Sequence, residues 1–178
     1  MEKIKDAYVR FFDIYSSISE WVKEICVIFC YVLLISVTCV AGLAVFFRYI
    51  LNNPIIWSEE VSRYTLIWLT MVAASVAIKE KKHINLTAFV RRLPRYISLV
   101  IEIAISLIII GLIGVIAKYS LIMVVTKSIR TFSPSIAISM LWPHTALPVG
   151  FGLIIFQSVY VLLDSIRVLL AEGSIGKN

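Results

Sequence analysis

The stretch that decides the fold is Phe46–Leu69, which reads FFRYILNNPIIWSEEVSRYTLIWL. It joins two long apolar runs through a polar turn, and it carries charge past the turn into the second run as Glu59, Glu60 and Arg63. Charge at the edge of a bilayer is ordinary. Charge that continues into a helix otherwise suited to span the membrane indicates either a transport site or a structural clamp.

The whole chain is too apolar for a soluble domain. It has 178 residues, of which 60% are hydrophobic, and a mean hydropathy of +0.94. A soluble domain is nearer half apolar. The length suits about four membrane spans, if each takes roughly 20 residues plus a short connection. No separate soluble domain fits, and the net charge of +6 is placed so that it indicates topology rather than nucleic-acid binding.

Four apolar segments predict an all-α integral membrane protein with a single membrane domain over residues 1–178. The predicted spans are about 25–48, 58–79, 96–125 and 144–170. The uncharged part of the second segment is too short to cross alone, so its helix is expected to begin near Ser58. The third segment exceeds a hydrocarbon core of about 30 Å and is expected to tilt or protrude.

Residues 1–24 predict an amphipathic helix rather than a cleavable signal peptide, because they mix both signs of charge and lack an early apolar core. One helical stripe is apolar: Ile4, Tyr8, Phe11, Tyr15, Ile18 and Val22. The opposite face is polar: Lys3, Asp6, Arg10, Asp13, Ser17, Glu20 and Glu24. Such a helix suits the membrane interface before the first span. The alternative is a helix packed on a partner subunit.

The distribution of lysine and arginine predicts the orientation. The segment before the first span carries Lys3, Lys5, Arg10 and Lys23, and the central connection carries Lys79, Lys81, Lys82, Arg91, Arg92 and Arg95. The other two connections carry far fewer: Arg48 and Arg63 in one, Lys127 and Arg130 in the other. The positive-inside rule therefore predicts that both termini and the central connection are cytoplasmic.

Two connections contain further helical patterns. In HINLTAFVRRLP, apolar residues fall on one helix face before Pro94, which predicts a short interfacial helix between spans two and three. In FSPSIAISMLWPH, Ser133 and Pro134 form an N-cap and first-turn pair. They predict a short surface or re-entrant helix that ends at Leu141.

The charges of the opening stretch are spaced so that they can satisfy one another. Ser58 can cap the second helix, and Glu59 and Glu60 occupy its first turn, where the helix dipole favours negative charge. Arg63 follows them by four and three residues, so it can pair with either carboxylate. Arg48, across the turn, can close a second pair.

Below these charges, the second helix has a face suited to close packing. Glu59, Arg63, Thr70, Ala74 and Ala77 share that face. Small residues four apart let helices approach closely in lipid. The favoured interpretation is a packing helix with a polar clamp at its outer end, and the alternative is a substrate or ion site.

The remaining polar residues give weaker signals. Glu102 is expected to snorkel or to pair near Arg95, and Lys118 to snorkel outward. His83 and His144 fall on opposite membrane sides in this topology, so they cannot form a ligand pair. The three cysteines, Cys26, Cys30 and Cys39, are interpreted as small apolar side chains. A membrane enzyme is disfavoured, because the sequence offers no metal-ligand cluster, nucleophile with base, or phosphate-binding glycine loop.

The segment RYILNNPIIWSEEVSRYTLIWLTMVAASVAIKEKKHINL resembles the small membrane subunit of tripartite ATP-independent periplasmic (TRAP) transporters, of the DctQ or SiaQ type. The residues that match the family pattern are Arg48, Tyr49, Asn52, Pro54, Trp57, Glu59, Glu60, Arg63, Trp68, Leu69, Ala73, Ala74 and His83. The later MLWPHTALPVGF resembles the family's entry to its last helix. The likeness covers roughly residues 20 to 170. One departure is a Lys-rich segment before His83, where the family often has Arg and Gly.

The resemblance implies a four-helix protein of the bacterial inner membrane that does not transport alone. Its implied partners are a large TRAP membrane subunit, which carries sodium and substrate by an elevator motion, and a periplasmic substrate-binding protein that delivers an organic acid such as a C4-dicarboxylate or sialic acid. The small subunit is then a fixed scaffold in contact with membrane lipids, without a cofactor of its own. The runner-up is an autonomous homo-oligomeric transporter or channel that uses Glu59, Glu60 or Glu102.

The expected clamp or subunit-contact set is Arg48, Tyr49, Trp57, Glu59, Glu60, Arg63, Trp68, Thr70, Ala74 and Ala77. A scaffold suits these residues because the apolar runs lack the unwound mid-membrane helices that mark transporter sites.

Overall fold

The structure, a computed structural model, describes residues 2–84, 95–128, 131–133, 135 and 138–175. They form four long helices: α1, Glu2–Tyr49; α2, Ser58–Ile84; α3, Arg95–Thr126; and α4, Leu141–Ile175. Each is long and apolar enough to cross a membrane, which confirms the predicted all-α fold with four spans. The interfacial helix predicted before Pro94 lies outside the described residues.

The N-terminal segment is continuous with the first span. The sequence predicts a change from an interfacial helix to a span near Ile25, but α1 runs without a break from Glu2 to Tyr49. No proline or glycine precedes Gly42 in this helix, so nothing local ends the hydrogen-bond ladder.

The stripe of α1 that packs into the protein differs from the predicted apolar stripe. Phe12, Ser19 and Cys26 are buried, and Tyr15 and Val22 between them are half-buried. The spacing of three and four residues marks one helix face. A second face, about a third of a turn away, is apolar but exposed: Ile14, Ile18, Trp21 and Ile25. The stripe predicted for the membrane interface contains residues of both faces: Tyr15 and Val22 lie on the packed face, and Ile18 lies on the exposed one.

The helices pack in a row rather than as a closed square. α4 packs against α3 and α2, and α2 packs against α1. The backbones of α1 and α4 approach over a shorter stretch, where side chains join them. The buried centre of the α1–α2 contact is Cys26, Val72 and Val76, with Trp68 and Leu153 at its edge. The three cysteines are free thiols. A row leaves two broad helix faces to lipid or to another membrane protein.

A glycine sets the distance between α2 and α4. A Cβ atom at Gly150 would lie 2.5 Å from the Cβ of Met71, whereas a Cβ atom at Gly152, half a turn away, would meet nothing within 4 Å. Small residues are what let membrane helices approach closely.

We expect Gly150→Ala to destabilise the protein by about 1–3 kcal/mol, because the two helices must move apart to accept the methyl group. Gly152→Ala is the matched control and should be neutral or slightly stabilising, since it gains helix propensity without a clash. Thermal unfolding of the two purified variants in one detergent measures the difference. Equal melting temperatures would show that the α2–α4 contact does not depend on this approach.

The connection between α3 and α4 contains a short hairpin, not the predicted helix. The Ser133 N–H donates to the Ile138 carbonyl at 2.8 Å, and the Met140 N–H donates to the Thr131 carbonyl at 2.8 Å. Phe132 and Ser139 form an isolated antiparallel bridge. The Ser-Pro pair predicted a helix start on local propensity alone. The hydrogen bonds across the connection stabilise a hairpin instead of that helix.

Candidate functional site: a charged turn and a polar cluster at opposite ends

Two polar clusters lie at opposite ends of the helices. The end that holds the α1–α2 turn and the hairpin is called the turn end here. The opposite end holds the start of α1, the end of α2 and the end of α4, and is called the terminal end.

At the turn end, a tight turn brings the ends of α1 and α2 together. Asn52 adopts a left-handed conformation with φ of 49°, which asparagine tolerates better than most residues. The Asn53 N–H donates to the Phe47 carbonyl at 3.1 Å, and so ties the turn to α1. Ser58 is the first residue of α2, but its hydroxyl donates back to the Ile55 carbonyl at 2.7 Å instead of accepting from α2. The predicted N-cap role of Ser58 is therefore wrong.

The predicted ion pair across the turn is present. An Arg48 guanidinium nitrogen lies 2.5 Å from Glu59 Oε1 and joins the last turn of α1 to the first turn of α2. Both side chains are about half exposed. Exposed pairs of this kind contribute about 0–1 kcal/mol. The pair therefore fixes the geometry of the turn more than it stabilises the fold.

Glu60 accepts a hydrogen bond from a residue that the sequence analysis assigned to the start of a separate predicted helix. The Ser133 hydroxyl, in the hairpin after α3, donates to Glu60 Oε2. Ser133 is buried, and Glu60 is half-buried. This contact links the start of α2 to the α3–α4 connection.

Arg63 departs from the prediction. It forms no ion pair with Glu59, with Glu60 or with any other part of the chain that the structure describes, and its side chain is exposed. The local spacing allows the pairing, but Arg48 and Ser133 approach the two carboxylates from outside α2. Arg63 is thus a cation at the turn end without a partner among the described residues.

An open cleft of about 520 Å³ lies between α1 and α2 beside Arg63. Small residues line part of it, namely Ala41 and Ala44 on α1 and Ser62 on α2. On α2, the exposed face continues from Glu59 and Arg63 through Leu66 and Thr70 to Ala77. The predicted small-residue face is therefore free of intrachain contacts over most of its length, with Ala74 half-buried at its edge.

The aromatic members of the predicted set divide into two groups. Tyr49 and Trp57 are exposed at the turn end. Trp68 instead packs inside the protein, with its ring centroid 5.8 Å from that of Trp142 and 6.4 Å from that of Phe29. The structure therefore places Trp68 in the packing of α1, α2 and α4 rather than on the outward face.

The other singled-out residues form no common site among the described residues. Glu102 is half-buried and Lys118 is exposed. Neither forms an ion pair with a residue whose side chain the structure describes, and the side chain of Arg95, the predicted partner of Glu102, lies outside that part. His144 Nδ1 lies 2.8 Å from the Ser128 hydroxyl, and thus links the end of α3 to the start of α4. The side chain of His83 lies outside the described residues.

At the terminal end, the first half of α1 is bound to α4 by contacts that the sequence prediction missed. The Ser19 hydroxyl donates to Gln157 Oε1 at 2.6 Å, and both side chains are buried. The Tyr15 hydroxyl donates to the Phe156 carbonyl at 2.8 Å. A glutamine inside the apolar run LIIFQSVYVLL was the available signal, because a buried amide in a membrane helix requires a partner.

A network of charges adjoins these hydrogen bonds. Glu20 lies 2.7 Å from Lys23 on α1 and 3.1 Å from Lys79 on α2. Farther along, the Arg167 guanidinium lies 3.8 Å from an Asp13 oxygen and 4.6 Å from the centroid of the Phe12 ring. Helices α1, α2 and α4 are thus joined by charge at the terminal end.

Exposed aromatic residues mark two membrane surfaces. Trp21 and Tyr49 are 73% and 74% exposed, and at about 1.5 Å of rise per residue they stand roughly 42 Å apart along α1. A bilayer with its headgroups is about 40–45 Å thick, and tryptophan and tyrosine concentrate at its two surfaces. The Trp21–Tyr49 part of α1 therefore matches a full crossing.

These features define a multi-pass membrane protein in which several described polar side chains join one helix to another. Groups of three or more potential metal ligands are absent from the described residues. The sequence family "Tripartite ATP-independent periplasmic transporters, DctQ component" matches residues 37–168. The chain belongs to this family, which confirms the resemblance inferred from Arg48, Trp57, Glu59 and Glu60 and identifies the chain as a multi-pass protein of the bacterial inner membrane.

Three relatives illustrate the likeness. The sialic acid TRAP transporter small permease protein SiaQ of Vibrio cholerae is 29% identical over 130 residues, which cover 71% of this chain and 73% of the relative. A putative TRAP transporter small permease protein of Haemophilus influenzae is 32% identical over 80 residues, 45% of this chain and half of the relative. The isethionate TRAP transporter permease protein DctMQ of Oleidesulfovibrio alaskensis is 27% identical over 123 residues, 67% of this chain but 19% of the relative. All three are named as transporter components rather than enzymes.

Proposed function

We propose that this chain is a non-transporting scaffold subunit of a sodium-coupled TRAP transporter for organic acids, of the C4-dicarboxylate or sialic acid type. Its partners are a large elevator-type membrane subunit and a periplasmic substrate-binding protein. Sodium coupling resides in the large subunit, and this chain binds no cofactor of its own. The sialic acid specificity in the name of the Vibrio cholerae relative supports the substrate class.

Two observations together support the proposal: the spans are continuous helices, and α2 has an exposed face that begins with charged residues at the turn end. Four helices without the paired broken segments that build transporter sites suit a fixed support. The exposed α2 face from Glu59 to Ala77 offers a surface for another membrane helix. The Oleidesulfovibrio alaskensis relative, of which this chain covers only 19%, supports association with a larger permease component.

We assign the expected clamp residues two roles. Arg48, Glu59 and Glu60 set the turn end through intrachain contacts, whereas Arg63 and the face that includes Thr70 and Ala77 meet the large subunit. Among the charged residues of the runner-up, Glu59 and Glu60 are engaged by Arg48 and Ser133, which disfavours their use as coupling residues. The decisive experiment is reconstituted uptake by this chain alone and with the large subunit.

The proposal includes an orientation, with both termini and the central connection in the cytoplasm. Because basic residues concentrate in Lys79–Arg95, we expect Lys82→Cys to be protected and Asn53→Cys to be accessible to an impermeant thiol reagent outside intact cells. Both changes are made in a background without Cys26, Cys30 and Cys39. Labelling at position 82 but not at position 53 would invert the topology.

A further inference from the structure

The cleft between α1 and α2 beside Arg63 is called the turn-end cleft here. It has a volume of about 520 Å³, and small side chains form part of its walls: Ala41 and Ala44 on α1 and Ser62 on α2. Arg63 also lines it and is exposed. Contacts within the chain leave this volume open. The cleft therefore offers room for side chains of another molecule next to a cation.

The chain itself has no carboxylate left for Arg63. Residues 25–79 and 103–163, which include the residues of the turn end, contain only two acidic side chains, Glu59 and Glu60. Both carboxylates are engaged from outside α2, one by an arginine of α1 and the other by a serine of the hairpin. Arg63 forms no ion pair with the residues that the structure describes. Its counter-charge must therefore come from another molecule.

Arg63 lies deep enough to require that counter-charge. It follows Trp57 by about 9 Å along α2, toward the membrane interior. Trp57 is exposed, and exposed tryptophans concentrate at the membrane surface. Arg63 is thus near the boundary of the hydrocarbon core at the turn end. Charged side chains at such a depth pair with other charges or face a polar cavity.

A carboxylate on a neighbouring membrane helix suits Arg63 better than a lipid phosphate does. Phosphates lie at headgroup level, and Glu59 stands one helical turn above Arg63 on the same face of α2. The Glu59 side chain is 63% exposed, so a phosphate that moves down to Arg63 passes a group of its own sign. A carboxylate on an adjacent helix approaches from the side, and it can accept two hydrogen bonds from a guanidinium.

The ion pair across the turn sets the relative level of the two helices. Because Arg48 contacts Glu59, Ala44, four residues earlier on α1, is level with Arg63, four residues later on α2. Ala41 is then level with Leu66, one turn farther into the membrane. Both Ala41 and Leu66 line the cleft. The cation and the open apolar part of the cleft are therefore about one helical turn apart.

The scaffold role proposed for this chain, on which the following assignment rests, requires a contact with the large subunit. We propose that the turn-end cleft receives one membrane-spanning helix of that subunit. An Asp or Glu of the helix pairs with Arg63. A large apolar side chain, three or four residues deeper on the same helix, enters the cleft between Ala41 and Leu66. Small residues such as Ala41 and Ala44 let the two backbones approach closely.

The charge is tested by reversal and rescue in the co-expressed full-length pair. Arg63→Asp should weaken the complex by about thirtyfold or more, because it places like charges together, whereas Arg63→Lys should stay within about fivefold of the unaltered chain. Lys127→Asp is the matched control, an exposed lysine at the same end of the molecule but outside the cleft. Recovery of the large subunit during co-purification measures the effect. Exchange of one acidic residue of the large subunit for Lys should restore recovery with Arg63→Asp.

The shape of the cleft is tested by added bulk. Ala44→Leu fills the cleft and should weaken the complex by about fivefold or more. Gly42→Leu adds bulk on nearly the opposite side of the same turn of α1, where an added Cβ atom meets nothing within 4 Å, and should have no such effect. Thermal unfolding of the isolated variants shows whether each one folds. The charge variants decide the question if Ala44→Leu folds poorly.

The outcomes separate this assignment from the scaffold proposal. If the unaltered chain recovers no large subunit, the scaffold proposal itself fails. Recovery that is unaffected by Arg63→Asp, or that no acidic-to-Lys exchange restores, would overturn the assignment of the cleft alone. Native mass spectrometry of the isolated chain with phosphatidylglycerol tests the lipid alternative. Loss of phosphatidylglycerol binding in Arg63→Asp, with unchanged recovery of the large subunit, would assign the cation to a lipid phosphate instead.

Discussion

Arg63→Ala is expected to weaken the complex with the large subunit by about 1–2 kcal/mol, or about fivefold to thirtyfold in affinity. Arg63 is an exposed cation without an ion pair to any described residue, at the end of an uncovered small-residue face of α2. A partner carboxylate at this depth would be left without its counter-charge. The cost stays below that of a fully buried pair, because headgroups and water reach the turn end.

Arg48→Ala is the matched control. Arg48 has the same charge, lies in the same cleft and already pairs with Glu59 within the chain. Its loss should lower the stability of the isolated chain by at most about 1 kcal/mol. Arg63→Ala should leave the isolated chain unchanged and lower only the recovery of the large subunit during co-purification. Thermal unfolding of the chain with and without its partner separates the two effects.

The double variant Glu59→Gln, Glu60→Gln should lower both the stability of the isolated chain and the recovery of the complex. It removes the Arg48 pair and weakens the Ser133 contact, so the start of α2 loosens and the partner surface moves with it. Transport should fall in parallel with complex recovery, while the substrate affinity of the complex that does assemble stays nearly the same. An equally stable complex with a sharply reduced affinity for substrate or sodium would identify the charged turn as a transport site.

The four spans were predictable from sequence because they depend on the length of apolar runs alone. Arg48–Glu59 was also predictable, since a short turn brings the two residues together. Ser133–Glu60 was not, because the partners are 73 residues apart and meet only after α3 and α4 have packed. Arg63 was misassigned for the same reason: its spacing permits a local pair, but residues outside α2 engage the carboxylates.

The terminal end shows a second limit of prediction from the sequence. Helical periodicity predicted a helix over residues 1–24 with an apolar stripe for the membrane interface, and α1 is helical there, with Ile18 of that stripe exposed. The face that packs contains Ser19, whose burial depends on Gln157 of α4. Polar residues that face one another across membrane helices look like surface residues until their partner is known, so periodicity alone cannot assign them.

The proposed roles of the scaffold and the large subunit predict a larger effect on transport than any single substitution does. If this chain is a scaffold, it provides no path for the substrate, and its contribution to transport depends on the large subunit. We expect liposomes that contain only this chain to show no sodium-driven uptake, because its described helices are continuous, unlike the broken helices that build transporter sites.

The most direct measurement is uptake of radiolabelled sialic acid or a C4-dicarboxylate into proteoliposomes under an inward sodium gradient. Three preparations are compared in the presence of the periplasmic substrate-binding protein: this chain alone, the large subunit alone, and both together. The scaffold account predicts uptake by the pair, background uptake by this chain alone, and parallel loss of uptake and complex recovery in Arg63→Ala. Sodium-driven uptake by this chain alone would contradict it and would favour the autonomous transporter.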